Sequence, residues 1–166
     1  MTYQRFEDLP VWKAAAELAV NLFRWTAHAW FRGKGDLTNQ LQRAGLSISN
    51  NIAEGFERGT KNELLQFLYI ARGSAGEVRS MLAVVEMMDV NQDLRSEIAD
   101  LKAHSEGISR QLGAWSGSLQ NSEIEGPRYL NDKTRNAFDQ KQRREAFQQK
   151  LDATNEEARR KREGEI

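Results

Sequence analysis

The sequence predicts an all-α protein, an up-down-up-down antiparallel four-helix bundle followed by a charged C-terminal extension. Three observations carry that expectation. Apolar residues recur every three to four positions along four successive segments, the repeat of one face of an α-helix. Proline occurs only at Pro10 and Pro127, so nothing interrupts a helix between them. Short stretches with glycine and capping signals join the segments, and short connections make consecutive helices antiparallel neighbours.

The first helix opens at Asp8-Leu9-Pro10, with Asp8 as the expected cap and Pro10 in the first turn, where its missing N–H costs little. Val11, Ala15, Leu18, Leu22, Trp25 and Ala29 form its apolar stripe, widened by Trp12, Ala19 and Phe23. A helix of about 20 residues, roughly 30 Å long, follows from that stripe. Arg32-Gly33-Lys34-Gly35-Asp36 supplies the turn, with Asp36 the expected cap of the second helix.

The second helix runs through Glu57 on the face Leu41, Ala44, Ile48, Ile52 and Gly55. Gly59 ends it. Thr60-Lys61-Asn62-Glu63 then reads as a capping box, in which a hydroxyl and a carboxylate serve each other's backbone N–H groups. The third helix buries Leu64, Phe67, Leu68, Ala71, Ala75, Val78, Leu82, Val85 and Met88. Asp89-Val90-Asn91 turns the chain, with Asn91 as cap. The fourth helix carries the cleanest heptad, Leu94, Ile98, Leu101, Ser105, Ile108, Leu112, Trp115 and Leu119.

Small residues concentrate where the second and third helices are expected to meet: Ala44, Gly45, Ser47 and Ser49 against Ala71, Gly73, Ser74, Ala75 and Gly76. A glycine inside a helix costs about 1 kcal/mol relative to alanine, so several together imply close backbone approach, between these helices or between subunits.

The bundle is assigned to residues 1–121 and the charged tail, disordered or a single helix, to 122–166. From 122 onward there are 11 basic and 10 acidic residues, and Leu130, Phe138, Phe147 and Leu151 are too sparse for a core. Over the whole chain 24 basic residues balance 24 acidic ones, so net charge gives no argument for a nucleic-acid partner. With no cysteine there is no disulfide, thiolate metal site or thiol nucleophile. No apolar run approaches the roughly 20 residues that span a bilayer, and the N-terminus lacks a signal-peptide pattern, so a cytoplasmic protein with no membrane contact is expected.

Beside the core stripe of the second helix runs a polar one, Gln40, Arg43, Ser47, Asn51, Glu54 and Arg58. It mixes an amide, a guanidinium, a hydroxyl and a carboxylate one turn apart. Together with Arg72, Ser74 and Glu77 of the third helix it is expected to form a hydrogen-bonded structural seam at the edge of the core. No catalytic constellation accompanies it. His28 and His104 are isolated, with no second ligand at helical spacing, so no metal is expected. Gly73-Ser74-Ala75-Gly76 lacks the lysine of a phosphate loop and lies inside a helix, and no cofactor site is legible. The expectation is a protein that is not an enzyme.

Particular strings carry a resemblance. Asp8-Leu9 with Val11-Trp12, Arg43-Ala44, Ser47-Ile48, Asn51-Ile52-Ala53-Glu54-Gly55, Phe67-Leu68, Ile70-Ala71-Arg72-Gly73-Ser74 and Glu77 are similar to a bacterial family of small four-helix-bundle proteins. Its members are encoded in intervening sequences of large-subunit ribosomal RNA genes, and it includes relatives of Avd, the accessory protein of diversity-generating retroelements. This chain reads Ser47-Ile48-Ser49-Asn50 where the family often has a proline, and Phe31-Arg32-Gly33 after the first helix where another is common.

The resemblance implies a homopentamer without known catalysis. For the retroelement branch it implies binding to a reverse transcriptase and to RNA or DNA. Arg32, Lys34, Arg58, Lys61 and Arg79 are the basic residues assigned to such nucleic-acid binding, which should be salt-sensitive. The reading is a non-catalytic oligomeric scaffold, accessory to a reverse transcriptase or associated with rRNA. The alternative is an interaction hub that recruits a partner protein through its tail.

Overall fold

The structure is a computed structural model that describes residues 3–121 and, in the extension, residues 140, 143–148 and 150–152. The chain divides into two compact units, Met1–Pro127 and Arg128–Ile166. All regular structure among the described residues is helical, with no strand. The expectation of a disordered or singly helical tail falls mostly outside the described residues. Those described within it are helical, with Gln148 Nε2 donating to Asp152 Oδ1 at 3.0 Å, one turn on.

The first unit holds α1 (Pro10–Thr26), α2 (Gly35–Glu57), α3 (Lys61–Glu86) and α4 (Gln92–Gln120), with 3₁₀ turns at Phe6–Asp8 and Ala29–Phe31. Each helix packs on the next in sequence, and α4 packs back on α1. The core they enclose takes Leu18 and Leu22 from α1, Leu41, Ile48 and Ile52 from α2, Leu64, Leu68 and Leu82 from α3, and Leu94, Ile98, Ile108 and Leu112 from α4. Full burial of each such side chain contributes about 1.5–3 kcal/mol. No described helix is long and apolar enough to cross a membrane.

The helix starts divide into those made by side chains and those made by position. Thr60 Oγ1 accepts from Glu63 N at 3.3 Å and donates to Glu63 Oε2 at 2.7 Å, holding the first turn of α3. Asn91 Oδ1 accepts from Leu94 N at 3.0 Å at the start of α4. Asp8, the expected cap of α1, instead lies in the preceding 3₁₀ turn; Leu9 occupies the cap position with no side-chain bond, and Pro10 begins the helix. Asp36 likewise lies inside the first turn of α2, where its charge favours the helix dipole, while Lys34 holds the cap position. Gly33, at φ 78°, makes the left-handed step that joins the 3₁₀ turn to α2.

α1 ends at Thr26, a turn earlier than its stripe predicts. Thr26 Oγ1 bonds back to Leu22 O at 2.7 Å, and the chain tightens into the Ala29–Phe31 turn. That turn is fixed by aromatic edges, Trp25 on Phe31 at 4.7 Å and Trp30 on Phe31 at 5.0 Å. Trp30 Nε1 donates to Asp89 O at 3.1 Å, so the α1–α2 and α3–α4 connections meet at one end of the first unit.

The glycines serve different contacts from those expected. A Cβ on Gly45 would stand 2.6 Å from Leu22 Cδ1, so Gly45 admits α1 rather than α3. A Cβ on Gly55 would stand 2.7 Å from Phe67 Cβ, so this is the glycine that brings α2 and α3 together. Gly73 and Gly76 face open space.

Candidate functional site

Beside the core face of α2, Ser47 reaches Ser74 of α3 and Asn51 bonds back to Ser47, forming a short polar chain. Ser47 Oγ and Ser74 Oγ are 2.9 Å apart, and Ser74 Oγ donates to Ile70 O at 3.2 Å. Asn51 Nδ2 donates to Ser47 O at 2.7 Å and to Ser47 Oγ at 3.0 Å. The one Ser74 hydroxyl proton has two acceptors in reach, Ile70 O and Ser47 Oγ, so either serine can donate to the other, and Ser47 Oγ accepts from Asn51 in both cases. Each hydroxyl is occupied by its neighbour and leans on no imidazole or carboxylate. The arrangement joins two helices and leaves no activated nucleophile.

The rest of the predicted seam does not join this chain. Glu54 and Arg58 pair at 2.6 Å, but on the exposed end of α2, with Arg58 Nη1 also 3.9 Å from Glu63 Oε1 and its guanidinium 5.2 Å from the Phe67 ring centre. The hydrogen bond to the Glu54 carboxylate, reinforced by the charges of Glu54 and Glu63, holds the Arg58 guanidinium above its ordinary range. Gln40, Arg43 and Glu77 are exposed and, among the described residues, make no hydrogen bond or ion pair. Arg72 turns away from α2 altogether. Its guanidinium lies against Gly113 of α4, where a Cβ would meet Cζ at 3.5 Å.

The five basic residues assigned to nucleic acid form no single patch. Arg32 and Lys34 precede α2 and Arg58 and Lys61 follow it, separated by a helix of 23 residues, about 35 Å. Lys34 is engaged at its own end, with Nζ 2.6 Å from Trp30 O and 4.0 Å from the Trp30 ring centre. Arg58 is engaged with Glu54. Arg32 and Arg79 are exposed and without an ion pair among the described residues.

Three further features escaped the sequence. Gln42 Nε2 donates to Thr26 Oγ1 at 2.8 Å, a polar tie between α1 and α2, and Ser105 Oγ donates to Ala75 O at 2.9 Å within the fully buried α3–α4 contact. Ser105 in the heptad was the available signal for the second tie. The third feature is a cleft of about 510 Å³ between α1 and α4, lined by Asn21, Arg24, Trp25, Ala27, His28, Glu97, Asp100 and Leu101. Glu97 and Asp100 stand one turn apart on α4, but the rest of the lining comes from α1 and the turn after it, so no local signal announced the cleft. No group of three His, Cys, Asp or Glu able to hold a metal ion occurs among the described residues.

Comparison with known proteins places this architecture. A crystal structure of a protein of unknown function from the S23 ribosomal protein family of Bacteroides thetaiotaomicron superposes with a TM-score of 0.56 at 21% identity, covering 64% of this chain and 97% of that one. At that identity the likeness is one of fold. No curated protein matches the chain. Residues 7–114, spanning all four helices but the last turns of α4, match the family described as 23S rRNA-intervening sequence protein. The chain therefore belongs to the 23S rRNA-intervening sequence protein family.

Proposed function

We propose that this protein is a non-catalytic cytoplasmic scaffold that associates with RNA, built as an up-down-up-down antiparallel four-helix bundle. Family membership over residues 7–114 is the observation that carries the RNA reading. The topology is supported by contacts whose numbers run in opposite directions: Thr26 with Gln42 and Leu22 with Gly45, Ser74 with Ser47 and Phe67 with Gly55, Glu86 with Lys102 and Tyr69 with Gln120. The occupied hydroxyls of Ser47 and Ser74 support a structural rather than catalytic seam.

Assembly as a homopentamer is part of this reading. Val20, Phe23 and Leu46 are exposed on α1 and α2, while Ile70 and Val84 are exposed on α3. Two unlike apolar faces suit a head-to-tail contact that closes into a ring, whereas a two-fold dimer needs one self-complementary face. A reverse transcriptase of a diversity-generating retroelement is the proposed protein partner, and rRNA the proposed nucleic acid where no such enzyme is encoded nearby.

An electrophoretic shift of structured RNA across a salt series tests the RNA reading. Retardation at low salt that fades as salt rises is expected, because phosphate contacts release counterions. Absence of any shift at low salt would refute it. Sedimentation gives the subunit number. A second reading, a hub recruiting a protein through the extension, draws on Phe147 and Leu151, each helical and exposed and four residues apart in the sequence.

A further inference from the structure

We propose that α1 of one copy of this chain seats along α3 of the next through two solvent-facing heptad seams, an inference that rests on the assembly reading and names the surfaces and register of that contact. On α3, Ile70, Gly73, Glu77, Ser80, Val84 and Met87 recur at alternating steps of three and four residues, Met87 standing at the helix cap. All six are exposed, Met87 by 87%. The core stripe of α3 uses the opposite side, so the helix carries a second stripe with the spacing of one strand of a coiled coil. On α1, Lys13, Ala16, Val20 and Phe23 repeat the same alternation, with Ala16 half-buried and the other three exposed. Single exposed apolar residues are ordinary on a surface, but rows of them at coiled-coil spacing mark a contact.

Symmetry gives the direction and charge gives the register. Cyclic symmetry repeats one orientation around a ring. In an up-down-up-down bundle α1 and α3 run the same way, so a ring whose axis lies along the helices sets α1 parallel to the neighbouring α3. Parallel seams pair like heptad positions in layers. One register places Lys13 on Glu77, Ala16 on Ser80, Val20 on Val84 and Phe23 on Met87. It matches the one charge on each seam, and neither charge has an ion pair among the described residues. It also sets the Met87 thioether against the Phe23 ring, a favourable contact. Sliding α1 back by one heptad puts Val20 on Glu77 and Lys13 on Ile70, stranding both charges against apolar groups. Sliding it forward carries Val20 and Phe23 past the end of α3. In the matched register Gly73 faces the Leu9-Pro10 entry to the next copy's α1. Gly73 meets nothing within 4 Å in its own chain, and its missing side chain leaves room for that entry.

The test is sedimentation of the full chain over a concentration series, with charge reversals and introduced cysteines. Lys13→Glu and Glu77→Lys should each weaken self-association at least about tenfold, because like charges then face each other in every contact, and the double reversal should restore it. Both side chains are exposed, so circular dichroism should show the helices of each variant intact. The chain holds no cysteine, so cross-linking has no background. Ala16→Cys combined with Ser80→Cys in one chain should give a ladder of covalent oligomers when diamide is added as oxidant. Ala16→Cys combined with Gly73→Cys, one heptad out of register, should not.

If the unaltered chain sediments as a monomer at every concentration, the assembly reading and the seam fall together. If it assembles but ignores both charge reversals, the seam falls and the assembly reading stands. The same holds if the double reversal stays dissociated, or if the ladder forms from the Ala16→Cys and Gly73→Cys pair instead.

Discussion

Ser47 Oγ and Ser74 Oγ lie 2.9 Å apart, a direct hydrogen bond between the polar stripe of α2 and a buried side chain of α3. Ser74 is buried, so losing its partner matters more than losing an exposed contact. Ser74→Ala should cost about 1 kcal/mol. A double-mutant cycle with Ser47→Ala, followed by urea unfolding, should return a coupling of about 0.5–1.5 kcal/mol. Additive single mutants would show that the pair does not join the helices.

Gly55 and Gly73 lie within the α2–α3 pair yet should respond oppositely to alanine. At Gly55 the new methyl meets Phe67 Cβ at 2.7 Å, an atom attached to the backbone of α3 that cannot swing aside, with Leu64 Cδ1 at 3.2 Å beside it. Overpacking of this kind costs about 1–3 kcal/mol, more than the gain in helix propensity. Gly73→Ala meets nothing within 4 Å and should stabilise the monomer by about 0.5–1 kcal/mol. Thermal melting separates the two. Loss of assembly on Gly73→Ala, seen by sedimentation, would place that open face in a subunit contact.

Ser105 is fully buried in the α4 heptad and donates to the Ala75 carbonyl at 2.9 Å. Ser105→Ala should cost about 1 kcal/mol through the lost bond, whereas Ser105→Leu should cost more, because the extra volume has nowhere to go between α3 and α4. Chemical denaturation of the two variants gives the order; a stabilising leucine would mean unfilled space at this level.

Glu54→Gln is predicted to leave the unfolding midpoint unchanged within error, because Glu54 and its partner Arg58 both stand in solvent. Asn51→Leu, one turn earlier, should lower it, since Asn51 closes the donor chain onto Ser47. Comparing the two melts distinguishes a half-buried polar tie from a surface ion pair.

The sequence by itself determined the centre of each helix's inward stripe and where two helices start, whereas Phe23 and Met88, at the margins of their stripes, are exposed. The 3.6-residue repeat places Leu94, Ile98, Leu101, Ile108 and Leu112 on one side of α4 whatever surrounds it, and the caps at Thr60 and Asn91 need only their own next turn. It did not determine how the helices are rotated against each other, and that rotation decides the fate of every residue at the margin of a stripe. Arg72 reads as a member of the α2–α3 seam, yet the roll of α3 carries it over to Gly113 of α4. Gly45 reads as a contact for α3 and receives Leu22 of α1 instead. The α1/α4 cleft joins residues from 21 to 101, so no local pattern could announce it. Periodicity is a property of one helix, whereas a flanking residue's neighbours are set by packing volume shared among several, and only the assembled core fixes that.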